Sequence, residues 1–123
     1  MSDAYVPASY PKLLVSDPER AVQFYTGLGF ELVHRDRVFA HLRWAPQADV
    51  YLVSTPPGLG VEGRRGVGVI LCFDARHLAL DEIAKRAEAL GTAVDGPRDQ
   101  PWFTREVMVV DPEGYRLSFV TPI

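Results

Sequence analysis

The 123-residue sequence predicts an α+β fold: two βαβββ modules form one curved, eight-stranded mixed sheet with the helices outside. Three observations predict it. A short strand that ends at an aspartate occurs twice, at Asp17 and at Asp74, 57 residues apart. An amphipathic helix pattern and three strand-like segments follow each copy. Each module is too small to bury its own sheet, so we expect the two to pack together.

The first module spans about residues 10–54. Asp17 is expected to cap its helix, because an aspartate side chain accepts hydrogen bonds from the first free N–H groups. Pro18 suits the first helical position, and Gly27 or Gly29 is expected to end the helix. Its predicted strands lie at 12–15, 30–34, 38–43 and 49–54.

The second module spans about residues 66–121, after a linker at 55–65 that is rich in proline and glycine. The apolar run Val67–Phe73 predicts its first strand, so Cys72 is expected to be a small core residue. Asp81 is expected to cap the second helix and Gly91 to end it. The remaining predicted strands lie at 92–95, 106–110 and 115–120.

The last two strands form the most informative segment, DQPWFTREVMVVDPEGYRLSFV, from Asp99 to Val120. Asp111-Pro112-Glu113-Gly114 predicts a turn between the strands, in which aspartate and glycine serve the backbone. Alternation places Tyr115, Leu117 and Phe119 on one face of the last strand. Arg116, Ser118 and Val120 then lie on the other face. A Gln-Pro-Trp-Phe corner precedes this hairpin.

In residues and spacing, this segment resembles the closing hairpin of the vicinal oxygen chelate superfamily. That superfamily includes glyoxalase I, ring-cleaving dioxygenases and bleomycin-binding resistance proteins. The Gln-Pro-Trp corner followed by Arg105-Glu106 most resembles the bleomycin-resistance branch. The resemblance extends over nearly the whole chain and implies the same two-module fold.

Composition limits the remaining possibilities. A chain of this length with 47% hydrophobic residues fits a single domain, 1–123. A net charge of −3 without a basic patch argues against a nucleic-acid partner. The sequence has neither a membrane-length apolar segment nor a secretory leader, so we expect a cytoplasmic protein without a membrane partner.

The resemblance also predicts where a metal would be bound. Metal-dependent members place histidine and glutamate at positions that correspond here to Tyr10, Tyr51, Val67 and Ser118. None of these is a usual ligand for a divalent metal. The histidines His34, His41 and His77 are not expected to converge. We therefore expect no metal and no other cofactor.

Other catalytic motifs are also missing from the sequence. There is no Gly-x-Ser-x-Gly elbow, no phosphate loop and no plausible Cys-His pair. No residue is therefore assigned a catalytic role, and we expect a binding protein rather than an enzyme.

Aromatic residues are concentrated where this fold keeps its cavity. Large rings stack on flat ligands and lose few rotamers in doing so. Core or dimer packing is the competing explanation, particularly for Phe39 and Tyr51, whereas the proline before Trp102 makes deep burial of that ring awkward. The predicted ligand-binding residues are Phe39, His41, Trp44, Tyr51, Trp102, Phe103 and Ser118.

The resemblance implies a homodimer with two ligand grooves between the chains. Pro7 and Pro11 interrupt an N-terminal segment that could be exchanged between the chains or could be a flexible tail. The function implied is sequestration of a planar natural product or antibiotic that is cationic or metal-chelating. The alternatives are a glyoxalase-like lyase or dioxygenase, and a metal-independent biosynthetic enzyme of the same fold.

Overall fold

Two four-stranded sheets and two helices make up the computed structural model, which describes residues 6–55 and 65–123. The predicted linker falls almost entirely on residues 56–64, outside the described part. The elements in chain order are β1 Lys12–Val15, α1 Pro18–Leu28, β2 Glu31–Arg35, β3 Phe39–Ala45, β4 Ala48–Ser54, β5 Ile70–Asp74, α2 Leu80–Ala89, β6 Val94–Gln100, β7 Thr104–Val110 and β8 Arg116–Pro122.

The two modules have the same topology. The strand order is β1-β4-β3-β2 in the first sheet and β5-β8-β7-β6 in the second. In each sheet the first strand pairs in parallel with the last, and the other pairs are antiparallel. The predicted α+β fold of two βαβββ modules is confirmed.

The helix α1 begins as the sequence predicts. The Asp17 carboxylate accepts a hydrogen bond from the N–H of Arg20 at 3.1 Å, and Pro18 is the first helical residue. Gly29 ends the helix with a φ of +131°, a conformation that residues with a Cβ rarely adopt. Of the two glycines proposed for this end, Gly29 is therefore the correct one.

The start of the second module differs from its prediction. Val67 and Gly68 lie in a turn, and β5 begins only at Ile70. The helix α2 begins at Leu80 after Ala79 and has no side-chain cap. Asp81 lies in its first turn, where a negative charge still favours the helix dipole, so the predicted cap is wrong.

An aromatic core joins the modules on the side of the sheets that faces the helices. Phe30 packs against Phe73 with ring centroids 5.4 Å apart, and Trp44 against Phe119 at 4.8 Å. Hydrogen bonds reinforce this packing: the Tyr25 hydroxyl donates to Asp111 at 2.6 Å. The buried aromatic contacts and this hydrogen bond thus fix the position of one module relative to the other.

Candidate functional site

The opposite faces of the two sheets carry most of the predicted ligand contacts. Side chains along a strand alternate between faces. On β3 and β4, the residues Ala40, Leu42, Val50 and Leu52 are buried in the helix-facing core. We call the other side the first face; it carries Phe39, His41, Arg43, Asp49 and Tyr51. The corresponding side of the second sheet, the second face, carries Cys72, Glu106, Met108 and Ser118.

A compact polar and aromatic cluster occupies the first face. His41 lies opposite Tyr51 in the strand register, and their rings stack 4.4 Å apart at 15°. The ring centroid of Tyr51 also lies 6.2 Å from that of Phe39 and 4.7 Å from that of Tyr10. The structure therefore brings together three of the predicted ligand residues, Phe39, His41 and Tyr51.

Asp49 connects this cluster electrostatically, although the sequence analysis did not identify it. Its carboxylate bonds Nε2 of His41 and accepts from Nε of Arg43 at 3.2 Å and from Nη2 at 3.3 Å. The Asp49 side chain is fully buried and the His41 side chain is 7% exposed. Burying such a charge is tolerable because oppositely charged and hydrogen-bonding groups surround it.

The corner between β6 and β7 exposes two aromatic rings. Trp102 is 61% exposed and Phe103 is 81% exposed. Phe103 has a φ of +68°, in the left-handed region, and so turns the chain sharply between the strands. The expectation that Trp102 escapes deep burial is confirmed, and its ring faces solvent at one end of the second face.

Glu106 holds the Trp102 indole. Its carboxylate accepts hydrogen bonds from Trp102 Nε1 at 3.0 Å, the Thr104 hydroxyl at 2.6 Å and the Ser118 hydroxyl at 3.2 Å. The bonds from Thr104 and Trp102 lower the pKa of the Glu106 carboxyl, so it is ionised at neutral pH. Ser118 itself is buried beneath this group.

The structure corrects two predictions about single residues. Trp44 is 4% exposed, lies on the core side of β3 and donates its indole N–H to the Asp74 carbonyl at 2.8 Å. It is a core residue and not part of the predicted ligand surface. Cys72 is exposed on the second face, whereas Phe73 beside it is buried, because β5 alternates between a core side and an outer side.

The positions that hold metal in related enzymes do not fit a metal here. Tyr10 packs on Tyr51, Ser118 donates to Glu106, and Val67 is an exposed turn residue. Within residues 6–55 and 65–123, no group of three or more histidine, cysteine, aspartate or glutamate side chains could hold a metal ion. His34 lies opposite His41 in the register, and His77 packs on Trp44.

Hollows of different sizes border the second face. A small cavity of about 40 Å³ is lined by Asp95, Arg98, Gln100, Glu106, Met108 and Ser118. A wider hollow of about 310 Å³, within the usual range for ligand sites, includes Cys72, Thr104 and Val120 in its lining. A larger cavity, about 550 Å³, lies elsewhere, between the helices and the β7–β8 turn, and its lining contains none of the predicted ligand residues.

Comparison with known proteins identifies the family. The sequence model of the Glyoxalase/Bleomycin resistance protein/Dioxygenase superfamily matches residues 8–119. The chain belongs to this superfamily. The family includes enzymes as well as binding proteins that catalyse no reaction, so membership alone does not decide between them.

Solved structures with the same fold include antibiotic-binding proteins. The antibiotic-binding protein TnmS3 from Streptomyces sp. CB03234 is 26% identical, with a TM-score of 0.69 over 100% of this chain and 99% of TnmS3. A bleomycin-binding protein in complex with bleomycin is 21% identical, with a TM-score of 0.70 over 96% and 100% of the two chains.

A bleomycin resistance determinant encoded on the transposon Tn5 is also 21% identical, with a TM-score of 0.70 over 95% and 98% of the two chains. No curated protein matches this chain.

No helix in the described residues is long and apolar enough to cross a membrane.

Proposed function

We propose that this protein binds a planar natural product in a groove between two copies of the chain and sequesters it without chemical change. The observation that carries the proposal is the Trp102 ring, which is 61% exposed and held in position by Glu106. A large exposed ring with a fixed orientation loses little entropy when a flat ligand stacks on it. Protection then follows from occupancy, which the dissociation constant and the protein concentration determine.

The relatives support this class of ligand. TnmS3 is described as an antibiotic-binding protein, and a second structure of this fold contains bleomycin. The first face adds stacked rings at Phe39, His41 and Tyr51, which would suit the other side of a flat ligand. A ligand screen identifies the class of antibiotic that is bound.

Tryptophan fluorescence tests the proposal directly, because the chain has two tryptophans in different environments. Bleomycin and a panel of flat aromatic antibiotics should quench Trp102 and leave the buried Trp44 nearly unchanged. Trp102→Phe, which leaves Trp44 as the only tryptophan, should lose most of the quenching. The matched variant Trp44→Phe should keep it.

Trp102→Ala should weaken binding of the ligand found in this screen by about 1–3 kcal/mol, the range for aromatic stacking. This corresponds to about fivefold to over a hundredfold in affinity. The fold should survive, because the ring contributes little to the core. Unchanged affinity together with a sharply lower melting temperature would show that Trp102 is structural and would move the site to Phe39 and Tyr51.

The homodimer is part of the same proposal, because the first and second faces would have to meet across two chains to enclose a flat ligand. In the described part of the N-terminal segment, the Ala8 N–H donates a hydrogen bond to the Gln47 side chain of the same chain at 2.8 Å. Light scattering at micromolar concentration should give a dimer, and deletion of residues 1–9 should weaken it if this segment is exchanged. A monomer at that concentration would contradict the proposal.

A metal-independent enzyme is the second candidate, favoured by the buried His41–Asp49 pair. A carboxylate that orients an imidazole is a frequent arrangement in general acid–base catalysis. Incubation of the bound ligand with stoichiometric protein, followed by mass spectrometry, separates the candidates. Recovery of unchanged ligand supports sequestration, and a product that forms with the native protein but not with His41→Asn supports the enzyme.

A further inference from the structure

The carboxylate of Glu106 differs from the buried carboxylate of Asp49 on the first face, because its hydrogen-bond partners are neutral. It lies in the middle of the second face, and its three hydrogen-bond donors are an indole and two hydroxyl groups. These donors fix the position of the carboxylate without cancelling its charge. The group remains able to attract a positive charge from a ligand.

The cationic side chains nearest to Glu106 each pair with a different carboxylate. Arg98, which is opposite Glu106 in the strand register, forms an ion pair with Asp95. Arg105 pairs with Asp99 at 3.0 Å. Among the described residues, no arginine or lysine lies within ion-pair distance of Glu106. Asp95, Arg98 and Glu106 line the same small cavity, so its wall carries two carboxylates and one guanidinium. Because Arg98 pairs with Asp95, the net charge of the wall is the single negative charge of Glu106.

The size of this cavity limits what can enter it. At about 40 Å³ it exceeds the roughly 10–15 Å³ that one water molecule needs, and it has no room for an aromatic ring. An ammonium or another small cationic group would fit. The Trp102 ring lies beside it, because the indole N–H bonds the same carboxylate, and aromatic faces attract cations as well as flat rings.

We propose that Glu106 makes this site selective for planar ligands that carry a small cationic group, with the cation in the cavity beside Glu106 and the ring on Trp102. The inference rests on the proposed function, of which it specifies the ligand class. Sequence analysis pointed to the Trp102 corner but did not identify this acid. A neutral ligand of the same shape would stack equally well and lose the attraction to the carboxylate.

Two flat probes of similar size test this selectivity: 9-aminoacridine, a cation at neutral pH, and acridone, which is neutral. Calorimetry should show tighter binding of 9-aminoacridine to the native protein. Glu106→Gln should bind it about three- to tenfold more weakly and leave acridone unchanged. The amide keeps an oxygen that can accept from Trp102 and Thr104, so the variant removes mainly the charge.

Asp99→Asn is the matched control, because it also neutralises an exposed acid of the β6–β7 hairpin but lies outside the cavity lining. It should leave both affinities within about twofold. Raising the salt concentration should reduce the preference of the native protein for the cation, which tests the charge without any variant.

The outcomes separate this inference from the proposed function. Equal binding of both probes to the native protein, or an equal loss for both in Glu106→Gln, overturns the selectivity and leaves sequestration standing. A preference for 9-aminoacridine that does not change with salt also overturns it. If neither probe binds at millimolar concentration, this inference is overturned, whereas the fluorescence screen with bleomycin and the antibiotic panel decides on sequestration.

Discussion

The first and second faces occupy equivalent positions in two modules of the same topology, yet they treat charge in opposite ways. On the first face, the Asp49 carboxylate is fully buried and bonded by both His41 and Arg43. On the second face, the Glu106 carboxylate is partly exposed and its described partners are neutral. The Asp49 carboxylate is part of the folded core, whereas the Glu106 carboxylate is the group that we propose attracts a cationic ligand.

This difference shows how a repeated fold can divide its tasks. The βαβββ module supplies a rigid sheet with one side in the core, and the other side is free to vary. In the first module, that side has become a packed polar cluster with stacked rings. In the second, it carries a charged cavity and an exposed tryptophan, so we expect ligand selectivity to depend mainly on the second face.

The largest expected effect comes from removing the buried carboxylate of the first face, which should lower the free energy of unfolding. Asp49→Ala removes the partner of two cationic or hydrogen-bonding groups in a buried setting. Loss of one member of a buried charge pair typically costs about 3–5 kcal/mol. Because Arg43 can still reach water, we expect about 2–4 kcal/mol here. Urea unfolding at fixed protein concentration measures it.

Asp99→Ala is the control for Asp49→Ala, since it breaks the exposed ion pair with Arg105. Exposed pairs contribute about 0–1 kcal/mol, so this variant should unfold almost like the native protein. If both variants lose the same stability, the buried Asp49 cluster stabilises the fold no more than an exposed ion pair does.

Much of the fold could be predicted from the sequence because local signals agreed with it. Asp17 and Pro18 start α1, and Asp111 forms the predicted turn by accepting from the N–H groups of Glu113 and Tyr115 at 2.8 and 2.9 Å. Leu117 and Phe119 are buried on one side of β8, as alternation requires. In each case a residue type and its spacing determine a short-range contact.

The errors at Cys72 and Trp44 have different origins, because only the tertiary structure decides the first, whereas the sequence pattern already contains the second. Cys72 lies in an apolar run that suggests burial on both sides, but one side of this sheet has no helix against it in the described structure. Trp44 follows Phe39, His41 and Arg43 in the sequence, but it falls on the opposite side of β3. Applying the two-residue period strictly would have placed Trp44 in the core.

Asp49 and Glu106 were missed for different reasons. A two-residue turn that pairs Ala45 with Ala48 would place Asp49 opposite Trp44. An irregularity between Arg43 and Ala45 shifts the register, so that Asp49 lies opposite Arg43 instead, and the sequence does not predict this irregularity. Glu106 was missed because of an unusual backbone conformation. Its hydrogen bond from Trp102 depends on the left-handed conformation of Phe103, which a phenylalanine rarely adopts and which the sequence does not predict.

The smallest expected effect concerns acid titration of the second face. Hydrogen bonds lower the pKa of Glu106 in the folded protein below its ordinary value. The ionised form therefore contributes stability that is fully present above the unfolded pKa, about 4.3, and is lost as pH falls through the folded pKa. Glu106→Gln lacks this contribution, so the stability advantage of the native protein should be constant above about pH 5 and shrink below about pH 4.

Other carboxyl groups do not disturb this comparison. Burial raises the pKa of Asp111, which makes its protonated form more favourable in the folded state and acts in the opposite direction as pH falls. Because Asp111 is present in both proteins, its effect cancels in the difference. Urea unfolding of both proteins between pH 6 and about pH 3.5 makes the measurement. A difference that stays flat or widens in acid would show that the donors around Glu106 do not favour its ionised form.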